Sequence, residues 1–217
     1  LIGKIAFMGV EADALLPLAP DTRRTIEFVG DSITEGVLID PTLRVNPVDQ
    51  LNRPWQDDVT ATYAWLTAEK LGLRPYFMGY GAVGATRPGC GSVPKAAEAY
   101  PYNFNGSPVT YPPCDIVVCN HGANDRGNRD RYPAEYKALL ALLREKNPAA
   151  KIVVLTPFCG AFDDVLPALV DEFNRETGGS VVCVSSAGWV PAEPLHPLRD
   201  GHEIIAEKFA AELAKVI

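Results

Sequence analysis

The chain has 217 residues, with 20 basic and 27 acidic side chains for a formal net charge of −7, and 47% of its residues are hydrophobic against 22% charged. These are the proportions of a folded domain long enough to bury one core, and they exclude collagen-like, disordered and coiled-coil classes. The acidic balance argues against a nucleic-acid or anionic-membrane partner, and no apolar run reaches the roughly 18 residues that cross a bilayer.

In chain order, residues 4–11 read as a strand and 15–20 as a linker. Residues 1–20 are therefore expected to be a terminal strand and linker, either the end of an upstream all-β module or an edge strand docked on the main domain, residues 21–217. Strands follow at 25–29, 74–78, 115–119, 151–156 and 181–184, each β-branched or aromatic and apolar at its centre. Continuous apolarity is the mark of strands covered on both faces of a parallel sheet. Helical patterns occupy 61–71, 134–146, 165–176 and 202–216; in the second, Tyr136, Leu139, Leu140 and Leu143 recur at three- and four-residue spacing. Strands alternating with helices imply βαβ units and a three-layer α/β/α sandwich around a five-stranded parallel sheet of flavodoxin-like order. Function in such a fold sits beyond the carboxyl ends of the strands.

Those ends carry the informative residues. After the first strand comes Gly30-Asp31-Ser32-Ile33-Thr34-Glu35-Gly36, where Ser32 reads either as part of a helix cap or as a nucleophile among backbone N–H donors. It is not a G-x-S-x-G elbow. After the second comes Gly79-Tyr80-Gly81-Ala82-Val83-Gly84-Ala85-Thr86, a tight turn in which Gly84 can present its N–H. Its G-x-G-x-x-G spacing does not read as a dinucleotide site, because it follows the second strand and no clear helix comes after it. After the third comes Asn120-His121-Gly122-Ala123-Asn124-Asp125, where the Asn124 amide reads as an Asx-turn or as an oxyanion donor, and Asp125 as a turn cap or the partner of an arginine. Before the last helix, His196 lies on a Pro-braced loop, Glu193 sits three residues earlier, within reach of its ring, and His202 reads as a first-turn helix residue. Ser32, Gly84 and Asn124 converging on one rim, with His196 on the remaining loop, is the arrangement that acyl transfer requires.

These four blocks, Gly-Asp-Ser, the glycine turn, Gly-x-Asn-Asp and the late His-Pro, resemble the SGNH (GDSL-type) hydrolase superfamily over residues 25–217, in that superfamily's order. Residues 63–71 and the helix after His196 are similar to the carbohydrate O-acetylesterases within it (carbohydrate esterase family 2-like). The resemblance implies a serine esterase with Ser32 as nucleophile and His196 as general base. Its oxyanion hole would be the Ser32 N–H, the Gly84 N–H and the Asn124 side chain. It implies no cofactor and a small-molecule or polysaccharide ester as substrate; some of those acetylesterases carry a β-sandwich domain ahead of the catalytic one, of which residues 1–20 could be the remnant. His and carboxylate residues are not clustered at metal-ligand spacing, which argues against a metal. Two positions depart from the pattern. Glu193 stands where an Asp is usual, which leaves a Ser–His–Glu triad or a Ser–His dyad open, and Gly79 stands where an Asn is customary.

Short-chain lipases, arylesterases and thioesterases of the superfamily differ only in pocket shape, and a non-catalytic sugar-binding protein on this fold is a further alternative. Residues 87–113, rich in Gly and Pro and bearing Tyr100, Tyr102, Phe104 and Tyr111, read as a substrate wall suited to sugar faces or as surface packing. The cysteines, Cys90, Cys114, Cys119, Cys159 and Cys183, form no CxxC pair, which argues against a zinc site. Cys119 and Cys183 read as buried thiols; Cys90 and Cys114 bracket a long irregular segment and could be bridged in an oxidising compartment, which the sequence does not decide.

Overall fold

The computed structural model describes residues 9–14, 16–43, 53–110 and 112–217. Its first unit is strand β1 (Thr25–Gly30), the one-turn helix α1 (Ser32–Glu35), a short helix α2 (Arg53–Gln56), helix α3 (Tyr63–Lys70) and strand β2 (Arg74–Gly79). An insert follows, made of the short helix α4 (Ala96–Ala99) and an antiparallel hairpin of β3 (Tyr102–Phe104) and β4 (Ser107–Pro108). The chain then alternates through β5 (Ile116–Asn120), α5 (Tyr132–Lys146), β6 (Lys151–Leu155), α6 (Leu166–Thr177), β7 (Val182–Val184) and α7 (Arg199–Leu213).

The main sheet has five parallel strands in the order β2-β1-β5-β6-β7, the flavodoxin-like arrangement expected. Register matters more than order. Gly30 at the end of β1 pairs with Gly79 on one side and Asn120 on the other. The loops that begin with Asp31, Tyr80 and His121 therefore leave the sheet at one level, on one rim.

Alternate residues of each strand face opposite layers. Val29, Val117, Cys119, Ile152 and Val154 pack against Tyr132, Tyr136, Leu139, Leu140 and Leu143 of α5 and Leu166, Leu169, Val170 and Phe173 of α6. Ile26, Phe28, Ile116, Val118, Val153 and Leu155 pack against Tyr63, Ala64 and Ala68 of α3 and Ile205, Phe209 and Leu213 of α7. Each large side chain so buried contributes about 1.5–3 kcal/mol. Within β1 the apolar pattern is broken by Glu27, which is fully buried and accepts a hydrogen bond from Tyr100 Oη at 2.6 Å.

Helix α5 starts two residues earlier than its periodicity suggests, because Pro133 fits the first turn, where an N–H has no acceptor. Helix α7 starts at Arg199 rather than 202, its first i→i−4 bond running from His202 N to Leu198 O. The hairpin and α4 were not foreseen. Of the expected opening strand, residues 4–8 lie outside the described residues; Gly9, Val10 and Glu11 are exposed and unpaired with any strand. Leu15 and Tyr111 also lie outside them. Cys90 and Cys114, the pair whose bridging the sequence left open, are both free thiols. Cys90 N bonds Gly81 O beyond the carboxyl end of β2, whereas Cys114 enters β5 at the sheet's other end, where its N–H bonds Asn147 Oδ1.

Candidate active site

Strand β1 delivers Ser32 to the rim in a rigid setting. Asp31 caps α1 by accepting from Ile33 N at 3.0 Å, and Gly36, at φ 88°, closes the helix after a single turn. Gly30 must lack a side chain, since a Cβ there would meet Thr34 Oγ1 at 2.2 Å. Ser32 opens α1, so its N–H has no intrahelical acceptor. Its hydroxyl lies 2.8 Å from His196 Nε2, across 164 residues of sequence. A histidine at that distance can take the proton of a serine hydroxyl.

The histidine loop is held against α1 from beneath. His202, six residues on and 1% exposed, accepts from Tyr63 N at 3.0 Å through Nδ1 and stacks on the Tyr63 ring. Tyr63 Oη in turn bonds Thr34 Oγ1 at 2.9 Å, two residues after Ser32. Burial, with His196 and Arg199 nearby, lowers the His202 pKa to about 4, so it stays a neutral acceptor. Arg199 adds an outer clasp by pairing with Asp40 and Asp58. Glu193 lies at the surface. Its side chain is exposed, and the described hydrogen bonds and ion pairs include none from it to His196.

The glycine turn packs directly on α1, which explains Gly79: a Cβ there would meet Glu35 N at 2.8 Å, leaving no room for an Asn. Gly84 differs from expectation. Its N–H donates to Arg87 O at 3.1 Å and is not available as an oxyanion donor while that turn stands. What Gly84 provides is space, because a Cβ would sit 2.4 Å from Asp125 Oδ1. Asp125, fully buried, has no arginine partner among the described residues; it accepts from Ala85 N at 3.0 Å, Thr86 N at 2.8 Å and Thr86 Oγ1 at 2.6 Å. It thereby clamps the glycine turn to the Asn124 loop. Earlier in the turn, Val83 N bonds Tyr80 O and Ala82 takes φ 62°, the left-handed value that turns place at their third residue. The Gly81 N–H between them has no acceptor among the described residues.

Asn124 is at the rim, with Nδ2 3.0 Å from Asp31 Oδ2 and 3.1 Å from Val83 O. His121, 2% exposed, is kept neutral by burial, which lowers its pKa. Sequence reasoning missed Asp31, Asp125 and Gly81. The signal for the first two was available, as carboxylates directly beside Ser32 and Asn124. Among the described residues no three His, Cys, Asp or Glu side chains gather as a metal site, and no helix is long and apolar enough to cross a membrane.

Residues 28–204 match the model of the GDSL-like lipase/acylhydrolase family. No curated protein matches the sequence. Among solved structures, a carbohydrate esterase family 2 enzyme with a carbohydrate-binding domain from Corynascus thermopiles (Myceliophthora fergusii) is 22% identical with a TM-score of 0.71, over 93% of this chain and 68% of that one. A family two carbohydrate esterase from Clostridium thermocellum, in complex with cellohexaose, is 26% identical with a TM-score of 0.70, over 93% and 67%. The acetyl xylan esterase Est2A of the rumen bacterium Butyrivibrio proteoclasticus is 19% identical with a TM-score of 0.73, over 94% and 67%.

Proposed function

The chain belongs to the GDSL-like lipase/acylhydrolase family, and on that premise we propose that it is a serine esterase that removes O-acetyl groups from a carbohydrate. The observation that carries this reading is the 2.8 Å contact between Ser32 Oγ and His196 Nε2 on the sheet rim. Neutral His196 takes the Ser32 proton as Oγ attacks the ester carbonyl. The bond to the alcohol oxygen then breaks as His196 returns the proton to it, and water repeats the sequence on the acyl-enzyme. Ser32 and His196 are the nucleophile and base, and the exposed Glu193 side chain is not assigned a role. The oxyanion is met by the Ser32 N–H, the Gly81 N–H in place of Gly84, and the Asn124 amide; one such donor is worth on the order of 3 kcal/mol of barrier.

A carbohydrate substrate is supported by the cellohexaose complex of the Clostridium thermocellum relative. It is also supported by the aromatic insert beside the rim, where Tyr80 Oη donates to Tyr102 O at 2.7 Å and ties the hairpin to the glycine turn. Exposed tyrosine faces suit sugar rings.

Fluorophosphonate labelling with peptide mapping tests the nucleophile: adduct on Ser32, lost in His196→Ala, is expected. Acetate release from acetylated xylan, compared with 4-nitrophenyl esters of rising chain length, tests the substrate. Unlabelled Ser32 refutes the esterase reading, and a preference for long acyl chains refutes the acetyl one.

A further inference from the structure

The Asn124 amide has two hydrogens, and both are engaged: one by Asp31 Oδ2 at 3.0 Å, the other by Val83 O at 3.1 Å. An oxyanion must therefore displace one of these acceptors, and the two are unequal. The bond to Asp31 is charge-assisted when the carboxylate is ionised, and roughly twice as strong as a neutral one. The Val83 carbonyl is neutral, and its bond to Asn124 is the weaker of the two. Releasing Asp31 strips a ligand from a carboxylate that is 1% exposed, the costlier change.

We propose that Asp31 is a positioning residue of the oxyanion hole, holding one Asn124 N–H fixed while the other swings from the Val83 carbonyl to the oxyanion. The inference rests on Asn124 being an oxyanion donor. Asp31 suits this role because its two oxygens serve two elements: Oδ1 caps the helix that carries Ser32, and Oδ2 holds Asn124. Nucleophile and donor are thus referenced to a single carboxylate.

The hold needs Asp31 ionised. Burial, reinforced by the Asp125 charge and only partly offset by the Ile33 N–H and the Asn124 amide, pushes its pKa up to about 7. The groups facing it are Asp125 and Asn124 on the loop after β5, Tyr63 on α3 and Tyr132 on α5, with His121 beside Asp125 and His196 on the neighbouring serine. Both tyrosines are pushed above their ordinary range and His121 below its own, so none of the three carries charge at neutral pH. As pH falls through about 7, Asp31 protonates, its bond to Asn124 weakens, and turnover falls with it, in addition to any loss at His196.

The test is a double-mutant cycle on the full chain with 4-nitrophenyl acetate. Asp31→Asn still accepts from Ile33 N, since Asn caps as well as Asp, but turns an NH2 toward the Asn124 NH2. Asn124→Ala is expected to lower kcat roughly a hundredfold and Asp31→Asn roughly tenfold. The double variant should be no slower than Asn124→Ala alone, because Asp31 acts through Asn124. The ionisation near pH 7 on the acid limb of kcat should vanish in Asp31→Asn. Asp31→Ser, which caps the helix and falls short of Asn124, should repeat the loss. Additive losses, or an acid limb unchanged in Asp31→Asn, overturn the inference. Asn124→Ala at the wild-type rate overturns the oxyanion reading beneath it.

Discussion

Gly84→Ala separates the two roles open to the glycine turn. The added Cβ would lie 2.4 Å from Asp125 Oδ1 and 2.7 Å from its Cγ and Oδ2, about 1 Å inside ordinary contact distance. Asp125 cannot yield into solvent because it is fully buried. A retreat of about 1 Å stretches bonds that now measure 2.6–3.0 Å past the range in which a hydrogen bond holds. Bonds to a charged group are worth about 1.5–3 kcal/mol each, so losing two of the three costs about 3–6 kcal/mol. Domains of this kind have about 5–15 kcal/mol in all. Urea unfolding followed by tryptophan fluorescence measures the loss. Gly81→Ala is the control, since its Cβ meets only Glu35 Oε2, the tip of a flexible side chain, at 3.0 Å. A Gly84→Ala variant within 0.5 kcal/mol of wild type would show that Asp125 is not packed as described, and the reasoning fails.

Two buried groups set opposite slopes of stability with pH. His202, lowered from 6.5 to about 4, binds a proton more readily unfolded than folded. It therefore contributes about 3 kcal/mol above pH 6.5, lost as pH falls toward 4. Melting temperatures should drop over that window, less so in His202→Gln, and equal drops would contradict a neutral buried ring. Asp31, raised from 3.8 to about 7, costs stability progressively as pH rises from 4 to 7, about 4 kcal/mol in full. Asp31→Asn should accordingly melt higher than wild type at pH 8 and no higher at pH 4, even as it slows turnover; a lower melting point at pH 8 would argue against a strained carboxylate. Tyr100→Phe strips buried Glu27 of its 2.6 Å partner and Asn147 Nδ2 of its 2.7 Å acceptor, at a cost of about 2–3 kcal/mol. Calorimetry should record that loss with kcat unchanged, the network lying at the sheet end away from Ser32, and a fall in kcat would place it nearer the site than the geometry does.

The sequence by itself determined the layers and the chemistry-bearing loops. Runs such as 116–119 and 152–155 are apolar on both faces, which only a sheet covered on both sides tolerates. The three- and four-residue spacing of Tyr136, Leu139, Leu140 and Leu143 fixed α5. Ser32 and His196 were legible because their residue types and neighbours are local features. What only the tertiary structure decided are matters of spare hydrogens and clearance. Whether the Gly84 N–H is free depends on Arg87 O, and whether Glu193 reaches His196 depends on the path of the loop between them. The small hairpin and α4 escaped notice because neither has enough residues to show a period. Asp31 and Asp125 looked like routine caps until burial showed that each carboxylate joins two loops that meet only when the strands align. Periodicity records which face of an element is apolar; which polar atom finds which partner is settled by distances of a few tenths of an ångström between segments far apart in the chain.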